Sequence, residues 1–259
     1  MRKLFLVCAL ALFGIGQSFA GSEYDEDADN LFNHLSIGVS VGSDGIGFDL
    51  ASPIGNMFAV RAGMSIWPRL TYKTDVDPGT DSKSFILNKD GKIDLEGKVT
   101  LADFKLLFDF YPFKNSPFRV TAGAFIGSQK VVSVYNSGQF LERNEWGKVG
   151  IQHGDYKIAS DKDGNINLDV KTNGFKPYLG VGYGRTIPHK SIGVAVDLGV
   201  QFWGTPAIYT NVMDDFGDLS YKKLTEQDKG NKDLNDAIDK LSKIVVLPVL
   251  SIRLCGRIL

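Results

Sequence analysis

Residues 192–204 read Ile-Gly-Val-Ala-Val-Asp-Leu-Gly-Val-Gln-Phe-Trp-Gly. Ile192, Val194, Val196, Leu198, Val200 and Phe202 occupy every second position, and Gly193, Ala195, Asp197, Gly199, Gln201 and Trp203 fill the places between. Side chains of a β-strand alternate between its two faces, so this spacing puts the apolar set on one face and the small and polar set on the other.

The same alternation recurs along the chain. Leu35, Ile37, Val39 and Val41 alternate with Ser36, Gly38 and Ser40; after Ser43-Asp44-Gly45, Ile46, Phe48 and Leu50 alternate with Gly47, Asp49 and Ala51. Phe58, Val60, Ala62, Met64 and Ile66 alternate with Arg61, Gly63, Ser65 and Trp67, and Ala102, Phe104, Leu106, Phe108 and Phe110 with Asp103, Lys105, Leu107 and Asp109. Phe118, Val120, Ala122, Ala124 and Ile126 oppose Arg119, Thr121, Gly123 and Gly127; Leu179, Val181 and Tyr183 oppose Gly180, Gly182 and Gly184. Last, Leu250, Ile252, Leu254 and Ile258 oppose Ser251, Arg253, Cys255 and Arg257. Eight strands result, each near the roughly 9–11 residues that a tilted membrane-crossing strand needs.

A soluble sandwich or lipocalin-like barrel alternates too, so the second face decides between them. In a soluble barrel it would be crowded with Lys, Glu and Thr, whereas here it is mostly Gly, Ala and Ser with sparse charges. That suits a narrow lumen behind a lipid-facing wall. The near-neutral mean hydropathy of −0.06 fits as well, because an alternating barrel averages its two faces.

The charges assigned to the lumen nearly balance: Asp49, Asp103, Asp109 and Asp197 against Arg61, Lys105, Arg119, Arg253 and Arg257. Charges taken out of water need partners, and an eight-strand interior is just wide enough for side chains to fill it. The expectation is a salt-bridged plug. Leu107, Phe125 and Trp203 are the large apolar residues expected inside, as packing.

Connection lengths give the wall two unlike ends. Pro53-Ile54-Gly55-Asn56, Lys114-Asn115-Ser116 and Pro188-His189-Lys190-Ser191 are short. The connections at roughly 69–97, 135–176 and 205–243 are long and charged, and only 43–45 at that end is tight. Short periplasmic turns against long outer loops is the asymmetry of outer-membrane barrels, and an even strand count leaves both termini on the periplasmic side.

The first twenty residues follow a secretory plan: Arg2 and Lys3, an apolar stretch from Leu4 to Gly16 too short to span a bilayer, then Ser18-Phe19-Ala20. Cleavage after Ala20 takes the net charge from −1 to −3, which argues against a nucleic-acid partner. Cys8 leaves with this segment, and Cys255 is then alone, without an intramolecular disulfide. The mature chain has no apolar run of transmembrane-helix length; the longest, 244–250, is interrupted by Pro248.

The segments DGIGFDLASPIGN (44–56), YPFKNSPFRVTAG (111–123), PYLGVGYG (177–184), GVQFWGTP (199–206) and the terminal VLPVLSIRLCGRIL resemble the small bacterial outer-membrane β-barrel proteins of the OmpA and OmpW type. The resemblance is one of architecture over residues 34–259. It implies a Gram-negative cell outer membrane, contact with its lipids, and periplasmic chaperones and the barrel-assembly machinery as partners in biogenesis. Such barrels usually end in an aromatic residue, where this chain has Leu259.

The expected organisation is a signal peptide at 1–20, an acidic flexible segment at 21–33 carrying Glu23, Asp25, Glu26, Asp27 and Asp29, and an all-β, antiparallel eight-stranded transmembrane barrel at 34–259. The barrel carries long extracellular loops and one short loop helix. No peptidoglycan-binding domain is expected after the last strand. Asp161-Lys162-Asp163-Gly164-Asn165-Ile166-Asn167 and Asn88-Lys89-Asp90-Gly91-Lys92-Ile93-Asp94 space oxygen ligands at alternate positions. A calcium loop of the EF-hand type needs Gly where Ile166 and Ile93 stand, so Asp163-Gly164 and Asp90-Gly91 are expected as hairpin tips, with calcium the lesser reading. Leu234, Ile238 and Leu241, with Asp233, Asp236 and Asp239 early and Lys240 and Lys243 late, mark the helix.

Catalysis finds little footing. His34, His153 and His189 lie in three separate regions, and no nucleophile pair, nucleotide motif or metal-ligand spacing stands out. No cofactor, no metal site and no catalytic residue is expected, and the protein reads as a monomer. Its expected role is structural or surface-interacting, with the extracellular partner unspecified; a narrow channel or hydrophobic-solute conduit is the alternative, and a lipid-modifying enzyme the second alternative.

Overall fold

The computed structural model describes residues 32–68, 70–76, 93–113, 115–136, 150–153, 156–161, 163–213, 219–224, 236 and 239–258. The signal and most of the acidic segment, the Asp90-Gly91 tip, Leu234, Ile238 and Leu259 lie outside them, as does the side chain of His153.

Eight antiparallel strands close into a barrel: β1 (Ser36–Gly42), β2 (Gly45–Ile54), β3 (Phe58–Ile66), β6 (Ala102–Phe110), β7 (Phe118–Gly127), β12 (Phe175–Tyr183), β13 (Ile192–Phe202) and β16 (Val246–Arg257). These are the eight alternating segments of the sequence. The order around the wall is β1-β16-β13-β12-β7-β6-β3-β2, so each strand pairs with its chain neighbour among the eight and the last strand closes on the first. Closure runs from Ser36 opposite Arg257 to Gly42 opposite Ser251. No edge remains on this wall, which matters in lipid, where an unpaired backbone group has no water to bond.

The faces sort as alternation requires. On β13, Ile192 is 63% and Leu198 56% exposed, while Ala195 and Asp197 are 1% and 4% exposed. The same outward belt continues through Ile37, Val39, Phe48, Leu50, Met64, Phe104, Phe108, Leu179, Ile252 and Leu254. Side chains of this kind are each worth roughly 1.5–3 kcal/mol when taken fully out of water, so a closed ring of them is a surface shaped for hydrocarbon.

The remaining strands form a second sheet standing on one end of the barrel. β4 (Leu70–Val76), β5 (Ile93–Val99), β8 (Lys130–Asn136), β11 (Asn167–Lys171) and β14 (Ala207–Met213) continue β3, β6, β7, β12 and β13 after short irregular gaps. They pair in the same lateral order, β4-β5-β8-β11-β14, so the barrel wall carries on upward as an open collar. β9 (Gly150–His153), β10 (Tyr156–Ala159) and β15 (Leu219–Lys223) add to its β14 side. β1 and β2 have no extension, because Gly42 pairs with Gly45 around the two-residue turn Ser43-Asp44. Gly45 there has φ +101°, and an added Cβ would lie 2.5 Å from the Ile66 carbonyl oxygen.

One expectation needs correction. The flanks of the 69–97 connection pair as an outer hairpin, β4 with β5, as expected, but the hairpin expected around Asp163-Gly164 does not form. The turn exists, with Gly164 N–H donating to the Asp161 carbonyl, but its flanking strands do not pair with each other. β10 and β11 both lie along β14, Ile158 opposite Val212 and Leu168 opposite Thr210, so 160–166 is an excursion from one edge. The Asp161 carboxylate accepts the backbone N–H groups of Asp163 and Asn165, which turns the chain back and uses one of its oxygens locally. Of the expected helix, Asp236 and residues 239–242 are helical, and Lys243 Nζ meets Asp239 Oδ2 at 2.6 Å across one turn.

Candidate functional site: the barrel lumen and its collar

The lumen is filled in storeys. Nearest the short turns, Arg61 on β3 donates from Nη2 to Asp109 Oδ1 on β6 at 2.8 Å and from Nη1 to Asp197 Oδ2 on β13 at 3.1 Å. Arg119 on β7 reaches the same Asp197 carboxylate, Nη2 to Oδ1 at 2.7 Å, and donates from Nη1 to the Gly184 carbonyl. The two guanidiniums and two carboxylates are all buried. Buried charges persist when paired, and each of the four has an opposite charge within 3.4 Å, although Arg61 Nε and Arg119 Nε make no hydrogen bond among the described residues.

The floor beneath them comes from a turn. Thr186, in the connection between β12 and β13, is fully buried; its hydroxyl donates to Asp109 Oδ2 at 2.5 Å and accepts from the Tyr111 hydroxyl at 2.9 Å. Its carbonyl accepts from Ser36 Oγ and from Arg253 Nη1. Thr121 Oγ1 supplies Asp109 with a further donor at 2.6 Å. Arg253 on β16 in turn holds Asp49 on β2, Nε to Oδ1 at 2.8 Å. Lys105 Nζ lies 3.3 Å from Asp49 Oδ2, an ion pair too poorly aligned to satisfy that oxygen as a hydrogen bond.

Above this network Leu107, Phe125, Tyr178 and Val249 pack together, with Phe125 and Tyr178 edge to face at 5.6 Å between ring centroids. Lys176 Nζ binds both Asp103 oxygens at 2.8 Å and the Ser128 carbonyl at 2.9 Å. Leu101, Val131 and Trp203, with Trp67, Val132 and Leu247 against them, close the top.

The structure therefore brings Asp49, Arg61, Asp103, Lys105, Asp109, Arg119, Asp197 and Arg253 into the lumen as the alternation places them. Arg257 corrects that expectation, because it is exposed. It lies on the inward parity opposite Ser36, in the last pair of the closing seam, where the wall ends and the side chain reaches water. Lys176 was missed, although extending the alternation of β12 back from Gly180 through Tyr178 reaches it. Pro177 breaks the apparent strand there, since proline has no N–H for a ladder. Thr186 and Tyr111 carried no periodic signal, because they sit in connections.

Glycine makes room for the large cations. A Cβ on Gly38 would fall within the Arg253 guanidinium, and one on Gly182 would lie 2.7 Å from the Arg119 guanidinium carbon. The inward glycines are thus the space in which the arginines lie.

At the level of Trp67, Leu101 and Trp203 the wall swaps its faces. Below it the apolar side chains point outward. Above it, alternation carried from β6 into β5 and from β12 into β11 turns Leu95, Val99, Leu168 and Val170 inward, and the cross-strand register puts Val132, Val134 and Ile208 on the same face, the parity of β8 and β14 having shifted in their gaps. Lys98, Ser133, Asp169 and Tyr209, which lie in one cross-strand row, point outward. Asp169 binds Lys130 Nζ at 2.7 Å, Ser133 Oγ at 2.6 Å and Tyr221 OH at 2.5 Å. Burial opposes its charge, but those three donors outweigh it and hold the carboxyl below its usual range. Lys171 lies over the stacked rings of Tyr209 and Tyr221, 4.5 Å from each centroid. Of the histidines, His34 precedes β1 and His189 lies in the β12–β13 connection, both at the short-turn end.

A closed eight-stranded antiparallel barrel with an apolar exterior and an ion-paired interior defines the class of fold. Among solved structures, the chain is similar to Acinetobacter baumannii CarO2, with 18% identity over 88% of this chain and 99% of that one and a TM-score of 0.48. It is also similar to Acinetobacter baumannii CarO, with 17% identity over 88% and 99% and a TM-score of 0.45. A third is a major outer membrane protein of Thermus thermophilus, with 15% identity over 86% and 98% and a TM-score of 0.36. No family model and no curated protein matches the chain.

Proposed function

We propose that the chain is an integral outer-membrane β-barrel protein with a structural or surface-interaction role, exported through a cleaved signal at 1–20 and sealed by its ion-paired lumen. The observation that carries this reading is the contrast on one wall: an outward apolar belt around a core where Arg61 joins Asp109 and Asp197. In this reading its membrane partners are the outer-membrane lipids, and periplasmic chaperones and the barrel-assembly machinery deliver it there. It acts as a monomer without cofactor or catalytic residue, and the collar is its outward surface.

Planar-bilayer recording on the refolded protein is the test. A sealed lumen gives no steady single-channel current. Steady currents that persist unchanged when Arg61→Gln or Asp109→Asn is introduced would sink the reading. A second reading, a conduit for hydrophobic solutes, is favoured by the apolar inner row of the collar, Val99, Val132, Val170 and Ile208. It predicts that an apolar fluorescent probe binds the folded protein and is released by Val132→Asp.

A further inference from the structure

Where the wall changes polarity, its outer side bears a recess of about 500 Å³ lined by Lys98, Thr100, Ser128, Gln129, Lys130, Val131 and Ser133. The lipid-facing side chains below it are close in the chain. Ile126 precedes Ser128 by two residues and Phe104 follows Thr100 by four, and both are about half exposed. At roughly 3.3 Å per strand residue and a strand tilt of roughly 40°, the recess stands about 5–10 Å above these apolar side chains, at the level of the headgroup zone over a hydrocarbon core.

Its chemistry is that of an anion site. The Lys98 ammonium has no ion pair or hydrogen bond among the described residues. Thr100 Oγ1 is buried at the recess without a hydrogen-bond partner. Lys130 is paired with Asp169 yet its side chain is 58% exposed, and Lys171 lies opposite it on the neighbouring strand. The nearby carboxylates are already engaged, Asp169 by Lys130, Ser133 and Tyr221, and Glu96 by Lys73 and Tyr135. Asp94, two positions past Glu96, stands further from the membrane. Positive charge is therefore in surplus at the rim, beside an unsatisfied hydroxyl and the side-chain amide of Gln129.

We infer that this recess binds the phosphate of a lipid headgroup in the surrounding leaflet. Lys98 and Lys130 supply the ammonium groups, and Thr100 and Gln129 the neutral donors. Lysine is a point-charge donor suited to phosphate, and each lysine close to an anionic lipid surface adds to the attraction. The inference rests on the membrane-barrel reading above, and the experiment separates the two.

The full mature chain is refolded in neutral detergent, and its compact migration before heating verifies the barrel. Diphosphorylated lipid A, or the same lipid with its phosphates removed, is then added and retained lipid is counted by native mass spectrometry. The phosphorylated lipid is retained, the dephosphorylated one is not, and Lys98→Gln and Lys130→Gln each lower retention roughly fivefold. Lys190→Gln, at the opposite end, leaves it unchanged. Retention on the unmodified protein falls as salt rises. Equal retention in the compact double variant, or retention indifferent to salt and phosphate, overturns the site and leaves the barrel standing. Displacement by excess inorganic phosphate overturns the lipid as source. Failure to migrate as a compact species overturns the barrel reading itself.

Discussion

Arg61 and Asp197 lie on strands four places apart around an eight-strand ring, so their contact of 3.1 Å spans the full width of the lumen. A pair that bridges diametrically opposite strands works as a strut, and Arg119 and Asp109 fix its two ends. Removing one partner leaves buried charge uncompensated. Asp197→Asn is expected to cost roughly 3–5 kcal/mol, read as a lower urea midpoint for loss of the compact gel form. Replacing Arg61 and Asp197 together with Gln and Asn should cost less than the two single changes summed, and additive losses would show that the strut carries no coupling.

A second prediction concerns the space around the arginines. Gly38→Val puts a side chain where the Arg253 guanidinium lies and should lower stability by about 1–3 kcal/mol as Arg253 is pushed from Asp49. Gly97→Ala, whose Cβ would meet nothing closer than the Tyr72 carbonyl oxygen at 3.6 Å, should be close to neutral. The same urea titration measures both.

What the sequence made legible follows from this geometry. All eight barrel strands were visible because lipid outside and a crowded lumen inside impose opposite demands on successive residues. The collar was not visible as a sheet. Its strands are short, and above the membrane the polar row moves to the outer face, so segments such as 70–76 and 207–213 read as parts of charged connections. Nor could periodicity reveal that Thr186 folds back under Asp109, since a turn has no repeat. Lys176 was within reach, one alternation step past Tyr178.

The collar should respond to acid before the barrel does. Asp169 has its carboxyl held below the ordinary value of 3.8, so its stabilising bonds are complete above that pH and are lost as pH falls through the lower folded value. Amide hydrogen exchange, corrected for intrinsic rates, should quicken at Tyr209 and Asn211 below about pH 4 while β13 stays protected. Asp169→Asn should abolish the difference between the two pH values.

Cys255 offers a report on assembly. It is 1% exposed, with its thiol at the Gly193 and Arg185 carbonyls. A maleimide should label it only in the heat-unfolded form. Labelling of the compact form would mean that β13 and β16 separate near their short-turn ends.

The turn at Ser43-Asp44 leaves β1 and β2 short, while five other strands climb into the collar. The rim is therefore notched. Seen along the membrane normal, the molecule has a front and a back, so an object travelling in the plane of the bilayer meets a tall polar wall from one azimuth and a low sill from the other.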